Sequence, residues 1–266
     1  MAAAGKGNEL VNAGLSSINV TAFGSGAEAT GMAAAGKGNE LVNAGLSSIN
    51  AFAFGWGAEA TGMAAIGHGN ELENEDKSLI SVAAIGRGAE AAGMLVRGHG
   101  NEAENDDRSM IWVLADGRGA EAAGIVGVGH GNELANDERS KIAVTATGRG
   151  AEAAGIKAVG FGNELENEER SSIGVLALGK GAEGTGLLAK GNWNELTNEG
   201  GSRIAVFAKG RDSEATGMLA VGKGNELVNA GWSSINAFAF GRGAEATGMA
   251  AIGHGNELEN EDKSLI

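Results

Sequence analysis

Val82-Ala83-Ala84-Ile85-Gly86-Arg87-Gly88-Ala89-Glu90-Ala91-Ala92-Gly93 is the stretch on which the fold turns. A sister stretch, Met63-Ala64-Ala65-Ile66-Gly67-His68-Gly69-Asn70-Glu71-Leu72-Glu73-Asn74, fits the same twelve-residue template: apolar, x, Ala, x, Gly, x, Gly, Asn or Ala, Glu, Leu or Ala, x, Asn or Gly. Nearly the whole chain consists of copies of these two forms. Working outward from them, self-similarity appears at a period of 31, with repeats starting at Met1, Met32, Met63, Met94, Ile125, Ile156, Leu187, Met218 and Met249. The last copy is partial. No linker or change of composition interrupts the series, so residues 1–266 are expected to form a single repeat domain.

Parity supplies the secondary structure. Ser78, Ile80, Val82 and Ala84 alternate with variable residues, and period two means strand with the constant set facing inward. Beyond Gly88 the inward pair becomes Ala89 and Ala91, so the parity slips by one, as it does again at Gly69–Asn70. Such a slip turns every side chain to the other face and marks a corner. Helix is a poor alternative, since each glycine in a helix interior costs about 1 kcal/mol and no 3.6 period is present. The expectation is an all-β parallel β-solenoid (a β-roll or β-helix) of about nine 31-residue repeats. Each repeat reads as two half-turns of twelve residues plus a seven-residue insert with a polar bend such as Glu75-Asp76-Lys77.

Composition agrees. The chain holds 48 Gly and no Pro, Cys or Tyr, and only 4% of it is aromatic, so its core must be thin and built largely of Ala. Absence of Pro suits a backbone whose N–H groups nearly all donate to ladders. Without Cys there is neither a disulfide framework nor a thiolate metal site. A net charge of −14 argues against nucleic acid and against an anionic membrane surface. No run of 18 apolar residues predicts a membrane span. The Met1–Lys6 start lacks the basic and apolar regions of a signal peptide, which points to another route or to a fragment of a longer chain.

If the repeats stack in register, columns of identical side chains form. Asn8, Asn39, Asn70, Asn101, Asn132, Asn163, Asn194, Asn225 and Asn256 make one predicted inward amide ladder, and Asn12, Asn43, Asn74, Asn105 and their successors another. Glu9, Glu40 and Glu71 begin one outward carboxylate column, and Glu28, Glu59 and Glu90 a second. A basic or ionisable residue stands three positions before most of these, Arg87 before Glu90 for example, and reads as charge compensation. His68, His99 and His130 fall in consecutive repeats and are candidate ligands for a transition metal, or a pH-responsive column. The acidic bends Asp106-Asp107, Asp137-Glu138 and Glu168-Glu169 are candidate Ca²⁺ ligands. The copy from Leu187 departs from the template at Gly191-Asn192-Trp193 and Arg211-Asp212-Ser213, and reads as a drifted repeat.

Ala83-Ala84-Ile85-Gly86-Arg87-Gly88-Ala89-Glu90-Ala91-Ala92-Gly93 resembles the head repeats of YadA-like trimeric autotransporter adhesins, whose pattern is close to S-V-A-I-G-x-G-A-x-A-x-G. Ice-nucleation and functional-amyloid repeats share the Gly-x-Gly and Asn or Ser columns more weakly. The adhesin resemblance implies a left-handed parallel β-roll, a homotrimer, display outside a bacterium or on its surface, and adhesion to a host or surface ligand.

No Ser-His-acid set or paired carboxylate breaks the repeat, so no enzyme is expected. The function expected from the sequence is a structural or adhesive solenoid presenting a regular acidic surface. One alternative is a self-assembling extracellular fibre or functional amyloid subunit joined head to tail. Another is a repetitive ion- or ice-binding surface, although ice binding favours rows of Thr where this chain has Asn-Glu-Leu and Ala-Glu-Ala.

Overall fold

The computed structural model describes residues 1–266 and contains 26 strands and no helix. It is a parallel β-solenoid in which each 31-residue repeat makes one coil. Every strand pairs with its counterpart 31 residues away: Ala91 with Ala122, Asn105 with Asn136, Val113 with Val144. Each coil has three sides. In the fourth coil these are the strands Glu90–His99, Glu102–Asn105 and Met110–Asp116. Stacked, they form sheets A and B of nine strands each and sheet C of eight. No helix is long and apolar enough to cross a membrane.

The three sides correct the expected division into two half-turns and an insert. The corners at Gly69–Asn70 and Gly88–Ala89 lie where the parity slips, between sheets A and B and between sheets C and A. The supposed insert is a third corner, between sheets B and C, followed by the sheet C strand. Asp76 and Lys77 adopt φ of 55° and 63° there, and Asp107 and Arg108 repeat this at 51° and 64°.

The core is a set of apolar columns. Met94 and Val96 come from sheet A, Leu72 and Leu134 from sheet B, and Ile111, Val113 and Ala115 from sheet C, all fully buried. Sheet A has a bend of its own. Gly93 and Met94 are consecutive yet both face inward, and the ladder skips Gly93. A Cβ on Gly93 would lie 2.3 Å from Ile111 Cγ2 and 2.5 Å from the Gly124 carbonyl oxygen. Glycine is required at this column because the opposite wall occupies the space of a side chain, and the bend makes the outer surface of sheet A concave.

Candidate functional site

The constant polar columns are internal. Asn70 Nδ2 donates to Asn101 Oδ1 at 2.9 Å, and the Asn70 backbone N–H donates to the same oxygen at 3.1 Å. The pattern runs from Asn8 through Asn39, Asn132, Asn163, Asn194 and Asn225 to Asn256. In the second ladder Asn12 donates to Asn43, Asn43 to Asn74, Asn74 to Asn105 and Asn105 to Asn136, at 2.7 to 2.8 Å. Ser78 Oγ is the one buried side-chain polar atom left without a partner. A buried amide with each group paired stabilises and fixes register, whereas an unpaired one costs about 1–3 kcal/mol. These ladders are closed to any ligand.

The carboxylate columns face outward. Glu9, Glu40, Glu71 and Glu102 line up on sheet B, and Glu28, Glu59, Glu90 and Glu121 on sheet A. Like charges opposite one another repel. On sheet B the crowding is worse, because Glu73, Glu104 and Glu166 form a neighbouring column. Partial burial, then the neighbouring carboxylates, push Glu73 and Glu166 up to about 8 and Glu104 to about 7. The same causes raise Glu90 and Glu102.

Compensation by the basic residue three positions earlier does not occur. The one ion pair within 4.0 Å joins Lys157 Nζ to Glu121 Oε2 at 3.7 Å. The corner is the reason: Arg118 stands on its ridge, whereas Glu121 lies on the next strand after the parity slip.

The imidazoles of His68, His99 and His130 stack face to face, with centroids 5.0 and 4.9 Å apart, and tilted Phe161 continues the row at 6.1 Å. One ring per coil spreads the nitrogens over two coil steps, so the three do not converge on one ion. The closest carboxylate grouping is at the B–C corner, where oxygen atoms of Asp106, Asp107 and Glu138 come within 4.8 Å of one another. Asp107 N–H donates to Asp106 Oδ1 at 2.6 Å, while burial keeps the Asp106 carboxyl above its ordinary value. Asp137, Glu168 and Glu169 lie outside this group.

Two surfaces were not singled out from the sequence. The bend in sheet A leaves a groove of about 340 Å³, with Ala92, Ala123, Leu95, Glu90 and Arg97 among its lining residues. The outer face of sheet C mixes apolar columns with polar ones such as Ser17–Ser48 and Asn19–Asn50. Its central column reads Phe52, Ala83, Leu114, Thr145, Leu176, Phe207 and Phe238, without a charge. Phe238 and Phe240 are about half exposed, at 49% and 51%. A signal existed: the middle variable position of these strands is apolar in all coils but those with Thr21 and Thr145, where a half-solvated strand alternates with polar residues.

Comparison with protein families, curated proteins and solved structures finds no match for this chain. The stacked coils are compatible with a β-roll repeat protein on their geometry.

Proposed function

We propose that this chain is a non-enzymatic structural and adhesive solenoid, working outside the cell or at its surface, that associates laterally with copies of itself. The outer face of sheet C carries this reading. Eight strands of up to seven residues make a face of about 38 by 23 Å at ordinary strand spacing and rise. That is about the 800 Å² per partner of a standard stable interface. The apolar part of this face is the column from Phe52 to Phe238 with Phe54, Ile85, Leu178 and Phe240 beside it, and exposed apolar patches on a soluble surface mark interaction sites. Charges on the face stay near its edges, at Asp116, Lys141, Arg203 and Lys209. Burying this face leaves the carboxylate columns of sheets A and B on the outside, as a regular acidic coat for an assembled adhesin. The adhesin resemblance suggests a homotrimer, in which the C faces would turn inward.

Sedimentation and light scattering on the full chain test this. Association should be concentration-dependent, and the double variant Leu114→Lys, Leu176→Lys should be monomeric with an unchanged circular dichroism spectrum. A wild-type chain that stays monomeric into the high micromolar range would remove the reading. Filaments in negative stain, in place of closed oligomers, would turn it toward a self-assembling fibre.

A further inference from the structure

The corner between sheets C and A carries a basic residue in six consecutive coils: Arg87, Arg118, Arg149, Lys180, Arg211 and Arg242. All six are exposed, and none lies within 4.0 Å of a carboxylate oxygen. Backbone bonds hold them in single file. Gly88 N–H donates to the Arg118 carbonyl at 2.9 Å, Gly119 to Arg149 at 3.0 Å, Gly150 to Lys180 at 2.9 Å and Gly181 to Arg211 at 2.8 Å. At one coil per step of about 4.8 Å, the row runs for about 24 Å along the solenoid axis.

We propose that this ridge binds a linear anionic polysaccharide, a thin chain with one carboxylate on each sugar. A row of stacked like charges destabilises the coils that carry it, and no carboxylate oxygen lies within 4.0 Å of this one, although Asp116 and Asp212 stand beside Arg118 and Arg211 in the chain. A polyanion laid along the ridge removes that repulsion. The cations are mostly Arg, whose guanidinium engages a carboxylate through two parallel hydrogen bonds. The spacing of the row is set by strand geometry, and one charged group per sugar along an extended chain comes close to it.

Width selects against a double helix. The Glu90 column begins only three residues past Arg87, so a broad polyanion would cover carboxylates on that flank. Each strand of a duplex also presents its charges at about 3.4 Å along the axis, out of step with the coils. One coil before Arg87 the row continues as Trp56, which is 70% exposed, with the Arg87 guanidinium carbon 6.0 Å from its ring centroid. That ring offers a flat apolar face for a sugar at the end of the cationic row.

This inference deepens the adhesive reading by naming a ligand class, and it is tested by a separate signal. The full chain is titrated calorimetrically with a galacturonic acid oligomer, a neutral dextran oligomer and a single-stranded oligothymidylate of similar length. The ridge variant is R118Q/R149Q/K180Q; the control R108Q/R139Q/R170Q removes the same charge from the B–C corner. We expect the uronate oligomer to bind, dextran not to bind, the ridge variant to lose at least about tenfold in affinity, and the control to lose less than about threefold. No uronate binding, equal losses in the two variants, or tighter binding of the oligothymidylate would each overturn the proposal. Light scattering on the same samples reads self-association independently: uronate binding by a strictly monomeric chain sinks the sheet C reading alone, and assembly without uronate binding sinks the ridge alone.

Discussion

The C–A corner at Gly117-Arg118-Gly119 and the B–C corner at Asp107-Arg108 both turn the chain in the same coil, yet they are held by different forces. Gly117 has φ of 148°, and a Cβ there would sit 1.8 Å from the Gly86 carbonyl oxygen of the coil below. Backbone packed on backbone locks this corner, and glycine is the only residue that fits. Asp107 and Arg108 hold φ of 51° and 64°, a left-handed pair accessible to ordinary residues at modest cost. Their locking comes from side chains beside the turn. Asn105 Nδ2 donates to Asn136 Oδ1, and the Ser109 backbone N–H donates to Ser140 Oγ at 3.0 Å. One corner is fixed by what cannot be added to it, the other by ladders flanking it.

The largest effect should follow from adding a methyl group to the steric corner. Gly117→Ala meets both the positive φ and the overlap with Gly86, and should cost about 4 kcal/mol in urea unfolding. Gly119→Ala, two residues on, keeps φ of 66° with nothing within 4 Å of the new Cβ, and should cost about 1 kcal/mol. Equal costs would break the comparison. Natural exceptions already follow the rule. Trp193 and Asp212 replace the second glycine of a Gly-x-Gly corner at φ of 59° and 54°, and the coils continue in register around them. No copy replaces the first.

This explains which parts of the fold could be read from the chain. Ser78, Ile80, Val82 and Ala84 announce their strand because a half-buried strand has period two, and the slips after Gly69 and Gly88 announce their corners because glycine punctuates them. The B–C corner uses Asp76 and Lys77, or Gly45 and Leu46, in one backbone shape, so it read as a polar bend within an insert and not as a third corner, and the start of the sheet C strand at Leu79 was counted with that insert. The bend at Gly93 was hidden too, since glycine is needed there for the nearness of Ile111 and not for its dihedrals. Charge pairing between Arg118 and Glu121 failed because spacing along the chain carries no information on direction across a corner. The ladder residues were legible as columns; the apolar column on the outer face of sheet C was not, because attention to the constant positions passes over the variable ones.

The ladder that supports the B–C corner is the next place to press. Asn105→Ala leaves Asn74 Nδ2 without its 2.7 Å acceptor and Asn136 Oδ1 without its 2.8 Å donor, both in a fully buried column. Two orphaned amide groups should cost about 3 kcal/mol. The loss should also show locally, as faster amide exchange at Ser109, whose N–H donates across the corner to the Asp106 carbonyl at 3.0 Å, and at Met110, whose N–H donates to the Ser78 carbonyl of the neighbouring coil at 2.9 Å. Exchange that stays slow there while global stability falls would mean that the ladder supports the core and not the turn.

The smallest effect tests the turn itself. Arg108 is exposed, makes no ion pair and holds φ of 64°. Arg108→Gly removes a left-handed penalty of about 1 kcal/mol from the folded chain. It also frees the unfolded chain, which works in the opposite direction by about 0.5–1 kcal/mol. The two nearly cancel, so unfolding free energy should move by less than about 0.5 kcal/mol. The repeat carries the same experiment in its own sequence, since Gly201 occupies this position at φ of 80° next to Gly200 at 67°. A loss above about 1.5 kcal/mol would show that the arginine side chain, and not the flanking Asn and Ser ladders, holds this corner closed.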